Sequence, residues 1–412
     1  MITLREVSLS DLPEWSRAHQ SAYFRHPTRI DASIHEAWFA PGELIGAYDG
    51  ERCVGTLRCS PYELSVPGGT TIPAAGITNV AVVHTHRRQG ILHTMMKTAL
   101  QSAAQSGRAI AILIPTEYTL YGRYGFGPSI RSRRIEVDNT GGGTLRDQVE
   151  SDHKGEIRNI TAEETRHIGP QLYDRFRETQ VGATQRKSAW WSNLTEEWFL
   201  TRRAVQPFYV TFRDSRGDTT GLVVYSATLL ESERKIRFNL NVVENIFLNQ
   251  ESRDALWRFI FSLDNVSHVA ISNIAIDDPI TELLREPSLA TTQFSHTAWL
   301  RILNLPEVLS ARTYARDGRL RIKVNDQQGY CDGSWEISVT DRKALVSPVS
   351  GSVDIEIGID SLASLYMGGG NAMTLCSAAL IKEHSPGSTM LLNEMFRTPV
   401  APWLPPNGLE LV

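Results

Sequence analysis

Cysteine is scarce and unpaired in this sequence. Cys53, Cys59, Cys331 and Cys376 are scattered through 412 residues, with no C-x-x-C spacing. Scattered cysteines without C-x-x-C pairs give no zinc-site pattern, and a reduced, cytoplasmic protein without a metal is expected. Long apolar runs are missing too: no stretch approaches the roughly 20 residues that span a bilayer. The opening Met1-Ile2-Thr3-Leu4-Arg5-Glu6 has no basic region followed by an apolar core, so no secretory leader is expected. Nor is there an excess of positive charge. Forty-two Lys and Arg against 46 Asp and Glu leave a net charge of −4, which argues against a general nucleic-acid binder; no membrane partner is expected. What remains is an ordinary globular composition, 41% hydrophobic and 21% charged, on a chain long enough for about three domains.

The most informative stretch runs from Val80 to Leu92. Val80-Ala81-Val82-Val83 is a short apolar, β-branched run that reads as a buried strand. His84-Thr85-His86-Arg87-Arg88-Gln89-Gly90 is a cationic turn. From Ile91 to Gly107, residues Ile91, Leu92, Met95, Ala99, Leu100 and Ala103 share one helical face. A strand, a basic loop and a helix N-terminus together present free backbone N–H groups and the positive end of a helix dipole, a seat for a pyrophosphate. Gly90 lets the backbone approach phosphates where a Cβ would obstruct. The competing reading is a plain surface turn with its arginines in water.

A second run, Pro115-Thr116-Glu117-Tyr118-Thr119-Leu120-Tyr121-Gly122-Arg123-Tyr124-Gly125-Phe126-Gly127, packs aromatics and glycines too irregularly for a strand. A loop pressed around something is the natural reading, either a ligand or the floor of a core.

Around these two runs the elements fall in order. Thr3–Val7 reads as a strand, Ser10–Ala22 as a capped helix, Leu44–Gly55 as a hairpin turning at Asp49-Gly50, and Arg58–Val66, Ile77–Val83 and Ala109–Ile114 as strands. Gly141-Gly142-Gly143 reads as a linker. Beyond it the order repeats: a strand at Ile157–Ile160, a helix near Thr165, strands at Phe208–Phe212, Gly221–Thr228 and Arg237–Val243, a helix through Leu256–Leu263, and a strand at Val269–Ile271. No cationic turn follows Val243. From about residue 290, Leu320–Val324, Gly333–Val339 and Val353–Ile357 alternate as half-buried strands before a helix at Ile359–Tyr366. The last 14 residues, Pro399 to Val412, hold four prolines with Trp403, Leu409, Leu411 and Val412, too apolar for a freely solvated tail.

Arg87, Arg88, Gly90 and Ile91 resemble the acyl-CoA loop of the GNAT acetyltransferases, (R/Q)-x-x-G-x-(G/A), with Leu92 in the last small position. That position fits one branch, the Eis (enhanced intracellular survival) family, whose V-A-V-x-x-T-H-R-R-x-G-L-L is matched by Val80-Ala81-Val82, Thr85-His86-Arg87-Arg88 and Gly90-Ile91-Leu92. Tyr121-Gly122-Arg123-Tyr124-Gly125-Phe126-Gly127-Pro128 is similar to the family's Y-G-R-F-G-Y-G-P. Trp299-Leu300-Arg301-Ile302 and Leu365-Tyr366-Met367-Gly368-Gly369 extend the likeness along the chain.

The resemblance implies an α/β (α+β) fold: two tandem GNAT-like domains at 1–140 and 144–289, the second degenerate, then a sterol-carrier-protein-like domain at 290–412 whose C-terminus reaches the active site. It implies acetyl-CoA as co-substrate, a cationic small-molecule amine of aminoglycoside type as acceptor, and a hexameric homo-oligomer. Val80, Ala81, Val82, Arg87, Arg88, Gln89, Gly90, Ile91, Leu92 and His93, with Thr116 and Glu117, would hold the cofactor. Trp38 would line the substrate pocket. Tyr121 would be the general acid and the Val412 α-carboxylate the base. A phenol with a pKa of about 10 is fully protonated at neutral pH and suits the first role. An α-carboxylate near pKa 3.5 is a weak base unless burial raises it, so its larger role could be to hold a cationic amine. The rival expectation from another class is a non-catalytic apolar-ligand carrier or scaffold with degenerate GNAT domains.

Overall fold

The computed structural model describes residues 2–26, 40, 42–141, 144–146, 155–195, 206–230, 236–406 and 408–409. The chain divides into two compact units, Met1–Ile130 with Thr297–Pro399, and Arg131–His296 with Val400–Val412.

The sheet of the first unit runs in the order β1 (Ile2–Glu6), β2 (Leu44–Asp49), β3 (Arg52–Val66), β4 (Thr70–Val82), β5 (Ile110–Leu113), then a strand we number β12 (Ala290–Ile302), which contributes its last residues here. The short strands expected at Arg58–Val66 and Ile77–Val83 are the ends of one long β3–β4 hairpin, paired from Gly55↔Val82 to Val66↔Thr70. The hairpin also takes in Gly55 and Thr56 at its open end and Ala74, Ala75 and Gly76 nearer its turn, small residues with little strand propensity of their own. Pairing, not propensity, makes them β. β12 lies antiparallel on β5, Trp299↔Leu113 through Ile302↔Ile110, so the sixth strand comes from 186 residues downstream of the fifth.

Two helices cover this sheet. α1 (Leu12–Ala22) starts with a proline in its first turn and buries Trp15, Ala18 and Ala22, with the Trp15 indole donating to Ile45 O at 3.0 Å. α2 (Ile91–Gln105) buries Ile91, Met95, Met96, Ala99, Leu100 and Ala103, the face read from the sequence. Met95, Met96 and Leu100 are at most 1% exposed, each worth roughly 1.5–3 kcal/mol of burial. The same core takes in Tyr121, Tyr124 and Phe126 from the aromatic run, with Trp299 and Leu303.

Residues 318–383 add a separate five-stranded sheet, ordered Lys343–Pro348, Gly333–Thr340, Gly318–Asn325, Ile355–Gly358, Ile381–Glu383. The helix Ile359–Tyr366 follows its fourth strand and is buried nearly all round. It braces the aromatic run: Ser129 Oγ donates to Ala363 O at 2.7 Å, and the backbone at Gly127 lies on Asp360. Arg301 on β12 is buried and forks onto both oxygens of buried Asp326 at 2.8 Å. Its guanidinium abuts Gly125.

The second unit repeats the plan. Its sheet runs β6 (Gly127–Asp138, here from Ser132), β11 (Val266–Ala275), β10 (Arg237–Phe247), β9 (Thr219–Leu230), β8 (Pro207–Arg213), β7 (Glu156–Ile160). The helix after β7, numbered α4 (Ala162–Arg177) because α3 is a short turn described below, opens on a capping box in which Thr161 and Glu164 satisfy each other's backbone N–H. α5 (Gln250–Ser262) packs Leu256, Trp257, Ile260 and Phe261 into the core. Among the described residues no helix is long and apolar enough to cross a membrane.

A Cβ at position 127 would run into the Asp360 carbonyl, a backbone atom that cannot rotate away. Gly127→Ala is therefore expected to cost about 2 kcal/mol or more in urea unfolding, by strain rather than by lost contact.

Candidate active site

The site begins where two parallel strands part. β4 and β5 pair from Ala74↔Ile110 to Ile77↔Leu113, and there β5 ends. Among the described residues, β4 continues through Thr78–Val82 without a strand paired on that side. Just past the last pair, the β3–β4 register slips so that Asn79 and Val80 together face Leu57, and Asn79 adopts φ +51°. This bulge is tied down. Thr56 Oγ1 donates to Asn79 O at 2.8 Å, and the Asn79 side-chain amide meets His19 Nε2 at 3.2 Å. An amide nitrogen can only donate, so the His19 ring is neutral at Nε2.

Beyond the bulge the hydrogen bonds set direction. Val83 N–H donates to Val54 O at 3.0 Å, which makes that pair the hydrogen-bonded kind. Hydrogen-bonded and non-hydrogen-bonded pairs alternate in antiparallel sheets, so the adjacent Gly55↔Val82 pair turns its polar groups outward. Val82 N–H therefore faces the gap that β5 leaves. Its carbonyl, on the same side, accepts from Arg87 Nε at 3.3 Å.

The cationic turn follows as a 3₁₀ turn, His84–His86, then Arg87 in extended and Arg88 in left-handed backbone, φ +65°. The two arginines differ. Arg87 spends its guanidinium on the backbone, reaching Val82 O and also Ala22 O at 3.4 Å. Arg88 is exposed and makes no hydrogen bond or ion pair among the described residues. Gly90 caps α2 at φ +79° with open space where a Cβ would stand. The first intrahelical bond is Thr94 N–H to Gly90 O, 3.1 Å, so the N–H groups of Ile91, Leu92 and His93 lie in the turn before the ladder starts.

The aromatic run supplies the opposite wall. Tyr118–Tyr121 is one helical turn, α3, continued by a 3₁₀ turn Gly122–Tyr124. Tyr121 is 4% exposed, edge-on to Phe126 at 6.2 Å; Tyr124 is 3% exposed, with the His93 ring stacked at 5.9 Å. Burial pushes the Tyr124 phenol up, despite Arg123 nearby.

Between these walls lies a cleft of about 620 Å³ within the first unit. Of the residues read from sequence, Val80, Ala81, Val82, Arg87, Arg88, Gly90, Ile91, Leu92, His93, Thr116, Glu117 and Tyr121 line it. Gln89 does not, and Trp38 and Val412 lie outside the described residues. Tyr124 lines it as well, and so do Ala22, Tyr23 and Phe24 from the end of α1. Tyr23 OH donates to Val80 O at 3.4 Å, and exposed Phe24 stacks on His84 at 4.3 Å. No sequence pattern points to that trio; they join the site through the α1–β4 packing. A cationic, N–H-rich end, an outward backbone donor and two buried phenols suit an extended, phosphate-bearing acyl donor. No group of His, Cys, Asp or Glu among the described residues could hold a metal ion.

Residues 3–129 match an acetyltransferase (GNAT) domain family, residues 182–302 a second acetyltransferase (GNAT) domain family, and residues 305–405 a sterol carrier protein domain. An uncharacterized N-acetyltransferase of Streptomyces avermitilis is 31% identical over 98% of this chain and 98% of its own length. The N-acetyltransferase Eis of Mycobacterium tuberculosis is 30% identical over 81% of this chain and 80% of its own. The crystal structure of Eis1 from Mycobacterium abscessus shares the fold, with a TM-score of 0.85 over 98% of this chain and 99% of that one, at 24% identity.

The bulge makes the site acid-sensitive. Burial, helped by the Arg25 charge, pushes the His19 imidazole down to about 4. The folded state then refuses a proton that the unfolded chain accepts near 6.5. Stability is whole above about 6.5 and falls by roughly 1.4 kcal/mol per pH unit as pH drops towards about 4. Urea midpoints measured between pH 7 and pH 4 are expected to decline less steeply in His19→Gln than in wild type.

Proposed function

The chain belongs to the Eis-type N-acetyltransferases of the GNAT family, and from that premise we propose that it acetylates amino groups of cationic small molecules, aminoglycosides above all, at several positions. Polyamines and lysine side chains are the rival acceptors. The GNAT fold implies acetyl-CoA as co-substrate, and its thioester supplies the acetyl group. Cytoplasmic residence and a homo-hexamer complete the reading by family likeness.

The observation that carries the proposal is the outward-facing Val82 N–H at the parting of β4 and β5, with Arg88 at one end of the cleft and Tyr121 in its wall. In this reading the N–H groups of Ile91 to His93 and the Arg88 guanidinium hold the pyrophosphate, because charge-assisted bonds to phosphate are the strong ones. Arg87 shapes the loop, and Gln89 takes its place in the turn between Arg88 and Gly90. Val80, Ala81, Thr116 and Glu117 flank the pantetheine arm. Val82 N–H donates to the thioester oxygen as negative charge develops there. Tyr121 gives its proton to the leaving thiolate. The Val412 α-carboxylate takes the amine's proton or holds the cationic acceptor, and Trp38 lines the acceptor's pocket.

Steady-state kinetics with kanamycin-like and polyamine acceptors test this. Tyr121→Phe is expected to lower kcat by roughly 100-fold or more while the acetyl-CoA KM holds. If Tyr124→Phe has the larger effect, the proton donor is the other phenol. If wild type and Tyr121→Phe are equally slow with every amine, catalysis at this cleft is wrong. Arg88→Ala is expected to raise the acetyl-CoA KM by about tenfold, and Arg87→Ala to lower the melting temperature as well. Deleting Leu411 and Val412 should depress kcat more than acetyl-CoA binding.

A further inference from the structure

The second unit parts its own sheet at the equivalent place. β10 and β11 pair in parallel from Phe238↔Val266 to Val242↔Ile271, and β10 then runs on through Val243–Phe247. Its register against β9 slips between Val242 and Glu244, immediately past the last parallel pair. In the first unit the same order holds: last pair at Ile77, slip at Asn79, strand on to Val82. A helix precedes each hairpin and another follows each opened strand.

The contents of the two openings differ. In the second unit, helix α5 is capped by its own chain: Asn249 Oδ1 accepts from Ser252 N–H at 2.9 Å, with Glu251 in the first turn. A side-chain cap and a carboxylate there disfavour a phosphate. The opening is instead occupied by the C-terminal tail. Trp403 N–H donates to Val181 O at 2.8 Å, and its indole donates to Asn273 Oδ1 at 2.7 Å, two residues past the last β11 pair. Asn273 Nδ2 returns a bond to Leu404 O at 3.1 Å. Gln180 donates to Ala401 O and Thr184 Oγ1 to Gly408 O, at 3.1 and 2.9 Å.

Charge is spent here too. Arg186 is buried between the Tyr173 and Trp190 rings, pairs with buried Glu244 at 2.7 Å, and reaches Pro406 O at 3.3 Å. Trp403, Leu404 and Leu409 are at most 3% exposed, and the Trp403 ring stands edge-on to Phe176 of α4. Prolines on both sides of Trp403 and Leu404 lower the entropy lost on docking.

We infer that the opened sheet of the second unit is a seat for the chain's own C-terminal tail, standing where a GNAT sheet would take its acyl donor, and that Trp403, Asn273 and Thr184 are positioning residues for the terminal carboxylate. The seat rests on the contacts above; its catalytic consequence rests on the role proposed for Val412.

The test uses the full-length protein with Trp403→Ala and, in case that variant folds poorly, the milder Asn273→Ala and Thr184→Val. Hydrogen exchange at the Trp403 amide and carboxypeptidase trimming of the C-terminus report the seat. Calorimetric titration with acetyl-CoA and steady-state kinetics report the rest. In wild type the Trp403 amide is expected to be protected and acetyl-CoA to bind at one site per chain. In Trp403→Ala, exchange should quicken by roughly 100-fold, the loss appropriate to a buried indole, and in the milder variants by about tenfold. kcat should fall in step while the acetyl-CoA KM and stoichiometry stay put. An unprotected tail in wild type, protection unchanged by every variant, or a second acetyl-CoA site per chain overturns the seat. A loosened tail with kcat intact leaves the seat standing and overturns the role of the carboxylate.

Discussion

The structure turns on one break in pairing: two parallel strands that separate because one of them ends. A strand that loses its neighbour exposes backbone N–H and C=O groups, and exposed groups inside a fold must find partners or bind something. In the first unit β5 stops at Leu113, and Val82 is left with its polar groups turned into the gap. The bulge at Asn79 sets which groups turn. It moves the alternation by one residue, so Val82 rather than Ala81 faces outward. His19, Thr56 and Tyr23 are the supports of that geometry, each bonded to Asn79 or Val80.

The other wall depends on packing at a distance in sequence. The run that carries Tyr121 and Tyr124 is not a stable element by itself: a single helical turn, a 3₁₀ turn and glycines. It is held because Gly127 fits on the backbone of Asp360, Ser129 bonds to Ala363, and the Arg301–Asp326 pair backs Gly125. The pair is buried on both sides, and Asp326 accepts from the Gln328 and Cys331 N–H groups as well. Removing either member of a buried pair strands the other's charge, so the pair does more to fix one arrangement than to add net stability. The sterol-carrier-like residues thus serve the proposed chemistry as a mould for the phenols.

The same opened sheet occurs twice and is used in two ways. One copy keeps a glycine-capped helix start and an arginine unengaged among the described residues; the other has a self-capped helix and is filled by the tail. The difference lies in a few residues. Gly90 and Arg88 leave donors free in the first, while Asn249 and Glu251 satisfy or repel in the second. Similar backbones, differently furnished, give one opening with a bare, basic helix start and another that holds the tail.

Much of this was legible along the chain because it is local. The apolar stripe from Ile91 to Ala103 requires a helix wherever it packs, the basic turn before it precedes a helix N-terminus by covalent necessity, and Ile359–Tyr366 is a helix in sequence and in structure. The echo of the first domain in the second was readable from element order, and the docked tail from its apolar side chains. Pairing was not legible. Thr70–Ile77 becomes strand only beside Cys59–Val66, Gly55 and Thr56 only beside Val82 and Ala81, and nothing in Trp299–Ile302 names Ile110–Leu113 as its neighbour. Phe24 and Tyr23 enter the cleft only because α1 lies on β4. Residue types and their local periods determined the elements and the chemistry they carry. Where the strands separate, which N–H turns outward and what fills each opening were decided by contacts between residues tens to hundreds of positions apart, which no local pattern encodes.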